Sequence, residues 1–62
     1  MKIGFIGLGN VGAKLAGSLL RNGFDLTVRD VDQNLTDQFK SSGAKVANSG
    51  KELAEQVDLI IT

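Results

Sequence analysis

The chain has 62 residues, with seven Lys or Arg balanced by seven Asp or Glu, and this even, patch-free charge excludes a nucleic-acid surface or a polybasic membrane anchor. It contains no Cys and no His, which excludes disulfides, thiolate chemistry and an ordinary zinc site. A chain this short buries only about 60% of the surface it exposes when unfolded, and scaffolds of this size lean on disulfides, metals or oligomers, so a homo-oligomer is expected.

Met1-Lys2 leads straight into strand residues with no signal-peptide pattern, and the longest apolar runs, such as Leu59 to Ile61, are far too short to span a bilayer. A soluble, cytoplasmic protein is expected. Ile3, Phe5 and Ile6 predict a first strand covered on both faces. Gly7 to Gly9 is the turn that follows it. A helix is predicted from Asn10 to Asn22, with Val11, Leu15, Ala16, Leu19 and Leu20 as its buried stripe at spacings of three and four, and with Gly23 as a left-handed stop. Asp25 to Arg29 is the second strand, with Leu26 and Val28 on one face and Asp30 at its carboxyl end.

A second helix is predicted over Gln33 to Ser42, preceded by Val31 or Asp32 and ended by Gly43, with Leu35 and Phe39 as an apolar pair. Lys45 to Ala47 is a short third strand. Ser49-Gly50-Lys51-Glu52 matches the S-x-x-E capping box that opens a third helix, about Gly50 to Gln56, with Leu53 and Val57 inward. Asp58 to Thr62 is a fourth strand. The reading is β-α-β-α-β-α-β, an α/β fold of the Rossmann type with a doubly wound parallel sheet in strand order 3-2-1-4. A fourth strand at the end of the chain would be a raw apolar edge, so the chain reads as the N-terminal part of a dinucleotide-binding domain within a longer protein.

The segment Gly4 to Gly12, GFIGLGNVG, fits G-x-G-x-x-G between a strand and a helix, the context in which the pattern carries meaning. Gly7 allows the tight turn, Gly9 lets the backbone approach a pyrophosphate, and Gly12 lets the helix pack closely on the sheet. Gly7, Leu8, Gly9, Asn10, Val11 and Gly12 are therefore the candidate phosphate-binding segment, with N–H groups near Asn10 and Val11 donating to phosphate oxygens at the helix N-terminus. The competing reading is a glycine-rich turn with no ligand.

Asp30 lies eighteen residues after Gly12, where the Rossmann scheme places an acid about 20 residues on to accept from the adenosine ribose hydroxyls. Asp30, with Val31 beside it, is the candidate ribose site. A carboxylate there repels a 2′-phosphate, so NAD is expected over NADP. The competing reading is a turn or capping Asp. Arg29 could serve a 2′-phosphate, but alternation along a strand predicts that it faces away from Asp30. Lys14, Lys51 and Glu55 read as solvated helix faces, and Asn48 has no assigned chemistry.

GFIGLGNVG, then VRDVD, then GAKVANSGKELAEQVDLIIT resembles the β-hydroxyacid dehydrogenases, the family of 3-hydroxyisobutyrate dehydrogenase, tartronate semialdehyde reductase and 6-phosphogluconate dehydrogenase-like enzymes. The resemblance covers the whole chain. Val11 stands where family members usually have Met, and Ser49-Gly50 where they usually have Ser-Pro. Members with Asp at the end of strand 2 look NAD-dependent, and Asp30-Val31 matches that type. The resemblance implies hydride transfer between a nicotinamide cofactor and a small hydroxyacid or its semialdehyde. The family's catalytic lysine and helical C-terminal domain lie downstream of these residues, so no catalytic residue is assigned here. Two other functions fit the opening motif: a stand-alone nucleotide-binding module, and the N-terminus of another Rossmann oxidoreductase.

Overall fold

The structure, a computed structural model, describes residues 1–62, Asn10 by its backbone alone. Seven elements alternate along the chain: β1 (Lys2–Ile6), α1 (Asn10–Arg21), β2 (Asp25–Arg29), α2 (Gln33–Ser41), β3 (Lys45–Val46), α3 (Gly50–Gln56) and β4 (Leu59–Ile61). The four strands form one parallel sheet in the order β3-β2-β1-β4. This is the doubly wound arrangement that the alternating pattern predicts. The predicted limits move by a residue or so at the ends: α1 and α2 each stop one residue sooner, β3 stops before Ala47, and β4 lacks Asp58 and Thr62.

Register explains which side chains meet. Ile3 pairs with Leu26 and Phe5 with Val28, so the four apolar side chains lie side by side on one face of the sheet. They form the core with Leu8, Ala16 and Ala44, and Leu19, Leu20, Leu35 and Phe39 of α1 and α2 pack against it. The opposite face carries Gly4 paired with Thr27. There Leu53 of α3 is fully buried and, with Val57, occupies the space into which a Gly4 side chain would project. Right-handed crossovers place α1 and α2 on one face and α3 on the other, because the chain reverses direction across the sheet between β3 and β4.

The helices start as their sequences predict. Asp32 caps α2, its Oδ1 accepting from the Asn34 N–H at 2.9 Å, and Ser49 caps α3, its Oγ accepting from the Glu52 N–H at 3.0 Å. The return bond of the capping box comes one residue sooner than the pattern states: the Glu52 carboxylate accepts from the Asn48 N–H at 3.2 Å. Gly23 and Gly43 both stand at positive φ just past their helices.

The predicted buried stripe of α1 is corrected. Val11 is 80% exposed and Leu15 47% exposed, while Ala16 is fully buried and Leu19 and Leu20 are half-buried. Small residues at Gly12 and Ala16 take the side of the helix that lies closest to the sheet. Val11 and Leu15 each precede one of these by a single position, which turns them aside by about 100°. Helix α1 is held to the sheet by small residues where it lies nearest, at Gly12 and Ala16, and by Leu19 and Leu20 in its last turns.

Leu53 is the one large side chain of α3 that fills the second face. Leu53→Ala is expected to lower the unfolding free energy by about 3 kcal/mol through the cavity it leaves, and Val31→Ala, at a 94% exposed position, to change it by less than about 0.5 kcal/mol. Urea denaturation of the two variants beside the parent checks the difference.

Candidate cofactor site

After Ile6 the chain turns through Gly7, Leu8 and Gly9 into α1. Gly7 has φ +92°, a left-handed conformation that L side chains rarely adopt. Its N–H donates to the Arg29 carbonyl at 3.0 Å, which extends the β1–β2 pairing by one step. Leu8 buries its side chain in the core, and its N–H donates to Oδ2 of Asp30 at 2.6 Å. Gly9 is the N-cap of α1, with φ −65° and ψ −177°, and its carbonyl accepts from the Ala13 N–H at 2.6 Å. Gly12 lies against the Gly7 carbonyl oxygen and the Phe5 ring, and a Cβ there would collide with that oxygen.

The three glycines thus differ in their reasons. Gly7 is required by its φ and Gly12 by the close approach of helix to strand. Gly9 has neither reason: its φ suits any residue, and a Cβ built on it meets no protein atom within 4 Å. It faces open space at the start of α1. That helix has no side-chain cap, unlike α2 and α3, which their own Asp32 and Ser49 cap, and no acid in its first turn. Its first N–H groups have no intrahelical acceptor, and the helix dipole adds positive potential there. Val11 is exposed beside this end; the side chain of Asn10 lies outside the described residues.

The second part of the site is a cleft of about 370 Å³ at the carboxyl ends of β2 and β3. Arg29, Asp30 and Val31 line it from β2 and the following loop, Thr36 and Lys40 from α2, and Ala47 and Asn48 from the end of β3. The pairing of Val28 with Val46 brings these loops level, and the Ala47 N–H donates to the Val28 carbonyl at 3.0 Å. Thr36, Lys40 and Asn48 carried no assignment in the sequence. The predicted order 3-2-1-4 was the available signal, since it sets the residues after β3 beside those after β2.

Asp30 is half-buried and accepts at both carboxylate oxygens. Oδ2 takes the Leu8 N–H, and Oδ1 takes the Asp32 N–H at 2.8 Å, an Asx turn that leads into α2. The turn reading of Asp30 is therefore realised, and the capping role belongs to Asp32. The bond from Leu8, then that from Asp32, with a smaller contribution from the Arg29 guanidinium, hold the Asp30 carboxyl below its ordinary range. Arg29 does not face away. It lines the same cleft and donates from its guanidinium to the Asp30 carbonyl at 2.9 Å. Strand alternation fails here because β2 ends at Arg29 and Asp30 already belongs to the turn. Val31 stands almost wholly in solvent.

A glycine loop that turns from the first strand into an uncapped helix, with an acid at the tip of the second strand, is the geometry of a dinucleotide site. The chain matches the family described as the NAD binding domain of 6-phosphogluconate dehydrogenase over residues 2–62. It belongs to that family. The mitochondrial 3-hydroxyisobutyrate dehydrogenase of Mus musculus is 45% identical over 60 residues, covering 97% of this chain and 18% of that protein. The Rattus norvegicus protein of the same description is 43% identical over 60 residues, with the same coverage of 97% and 18%. Among solved structures, an imine reductase from Myxococcus stipitatus in complex with NADP+ superposes with a TM-score of 0.92 at 23% identity, over 97% of this chain and 21% of that one. A V8 variant of the Myxococcus stipitatus enzyme in complex with NAD+ gives 0.90 at 24%, over 95% and 21%. These two likenesses show the fold. The chain spans less than a fifth of the length of the curated relatives it matches. No helix among the described residues is long and apolar enough to cross a membrane.

A carboxyl group whose folded-state value is lowered stabilises the fold above the ordinary carboxylate range, and that contribution is lost as pH falls through the lowered value. Stability is therefore expected to decline in acid partly through Asp30, below the range where free carboxylates titrate. Asp30→Asn is expected to remove that portion of the decline, measured by urea midpoints from neutral pH into the acid range.

Proposed function

We propose that this chain is the NAD-binding part of an oxidoreductase that moves a hydride between a nicotinamide cofactor and a small 3-hydroxyacid of the 3-hydroxyisobutyrate or tartronate-semialdehyde type. The observation that carries the binding part of this reading is Gly9. Its missing side chain has no use inside the protein and leaves the start of α1 open to a ligand's close approach. In this reading the pyrophosphate lies over Gly7, Leu8, Gly9, Asn10, Val11 and Gly12, and the adenosine ribose lies at Asp30 and Val31. The bound cofactor supplies hydride chemistry, and these residues bind and orient it. None of them is assigned a catalytic role.

The substrate class rests on the likeness to the 3-hydroxyisobutyrate dehydrogenases. The preference for NAD over NADP rests on the Asp30 carboxylate, which would repel a 2′-phosphate. Arg29 lies in the same cleft, with its guanidinium engaged by the Asp30 carbonyl. The expected homo-oligomer is kept in this reading on the ground of scaffold size alone. The cytoplasmic location expected from the sequence meets relatives described as mitochondrial, so the reading extends to either compartment.

Gly9→Ala tests the reading directly in the whole protein that carries these residues. The substitution is expected to change stability by less than about 0.5 kcal/mol, because φ and space both permit it, and to weaken NADH binding by about tenfold or more through a Cβ placed against the ligand. Unchanged NADH affinity would remove the pyrophosphate from this loop. Side-by-side titration with NADH and NADPH tests the ribose end: NADH is expected to bind more tightly, Asp30→Asn to narrow that margin, and equal affinities in the parent would defeat the assignment of Asp30.

A further inference from the structure

Asp30 does more than stand at the tip of β2. Its carboxylate reaches across the sheet end to the loop after β1, where it accepts the Leu8 N–H at 2.6 Å, a short charge-assisted bond between residues far apart in sequence. Its second oxygen accepts the Asp32 N–H at 2.8 Å. One side chain therefore ties the β1–α1 loop to the β2–α2 turn, the two loops that would hold the pyrophosphate and the adenosine ribose. We propose that Asp30 is a positioning residue for the phosphate loop, holding it in its binding conformation before any nucleotide arrives. The proposal deepens the reading of that loop as a pyrophosphate site and rests on it.

Three features support the latch. Leu8 lies between Gly7 at positive φ and Gly9 at the N-cap, in a turn of three residues. The bond from its N–H, the Gly7 bond to Arg29 and the buried Leu8 side chain together fix the turn from three directions. Secondly, only an acceptor with two free oxygens can serve both N–H groups. An Asn of the same shape presents one oxygen and one NH₂, so it must release either Leu8 or Asp32. Thirdly, the carboxylate lies beside the loop that would hold an anion, where Coulomb repulsion acts against binding. Arg29 on β2, Asp32 in the turn, and Asp37 and Lys40 on α2 are the charged groups around it. A negative charge at this place is unfavourable for phosphate unless it organises the donors.

The last point sets the sign of the test. If Asp30 acts only as a charge or a ribose acceptor, Asp30→Asn should bind inorganic pyrophosphate, which has no ribose, as tightly as the parent or more tightly. If Asp30 is the latch, Asp30→Asn should bind it about tenfold more weakly despite the lost repulsion. The measurement is displacement of NADH by inorganic pyrophosphate from the whole protein, parent and variant. A measurement on the parent alone guards against a misfolded variant: the Leu8 and Asp32 amide protons, followed by NMR through acid titration, are expected to move together in one transition as Asp30 protonates. Equal or tighter pyrophosphate binding in a folded variant, or a Leu8 amide proton that does not follow that transition, overturns the latch. Failure of the parent to bind either NADH or pyrophosphate overturns the phosphate-site reading and this role with it. Parent binding with a static Leu8 amide overturns the latch alone.

Discussion

The structure depends on the close approach of α1 to the end of β1, where Gly12 lies against the Gly7 carbonyl oxygen and the Phe5 ring. A side chain at position 12 would push the helix away. With the helix seated, its small residues face the sheet, Ala16 is fully buried, and the bulkier Val11 and Leu15 turn outward. The same contact sets the start of the helix directly over the sheet's carboxyl edge. It also leaves only three residues for the turn. Leu8 must then send its side chain inward and its N–H sideways, toward the neighbouring strand.

The backbone donors at this edge divide into two groups. Gly7 donates to Arg29 and Leu8 to Asp30, both toward β2, and Ala13 donates back to Gly9 as the first ordinary helical bond. What lies between is the first turn of α1, the segment whose donors an α-helix cannot satisfy from within. Elsewhere the chain answers this problem with its own oxygens, at Asp32 for α2 and Ser49 for α3. At α1 it places a glycine instead. The loop is rigidly held up to Leu8 and open from Gly9 onward, a division that suits a site whose acceptor comes from outside.

Much of this was legible in the sequence because it is decided locally. The strands announce themselves as short apolar runs, the stops as Gly23 and Gly43, and the caps as Asp32 and Ser49, while GFIGLGNVG with Asp30 downstream marks the candidate site. The parallel order 3-2-1-4 follows from alternating elements and right-handed crossovers. What sequence reasoning missed depends on distances between elements. The rotation of α1 is set by how near it lies to the sheet, which periodicity does not encode. The direction of Arg29 is set by where the β2 ladder ends. Leu8 reads as one more residue of the phosphate loop, yet its side chain belongs to the core and its N–H to Asp30. The cleft residues Thr36, Lys40 and Asn48 become a group only once β3 lies beside β2.

A site made in this way asks little of side-chain identity. Its donors are backbone N–H groups, its access depends on a missing Cβ, and its shape depends on the positive φ of Gly7 and the close contact at Gly12. Only Asp30 contributes through a functional group that another residue cannot easily imitate. The fold around such a site can therefore keep its backbone while the sequence drifts. The same chemistry bounds what these residues do. Backbone donors and one carboxylate already bound at both oxygens can seat and orient a dinucleotide. Proton transfer to a substrate needs a group free to change its protonation near neutral pH, and Asp30, held ionised by the Leu8 and Asp32 amides, is poorly suited to that work.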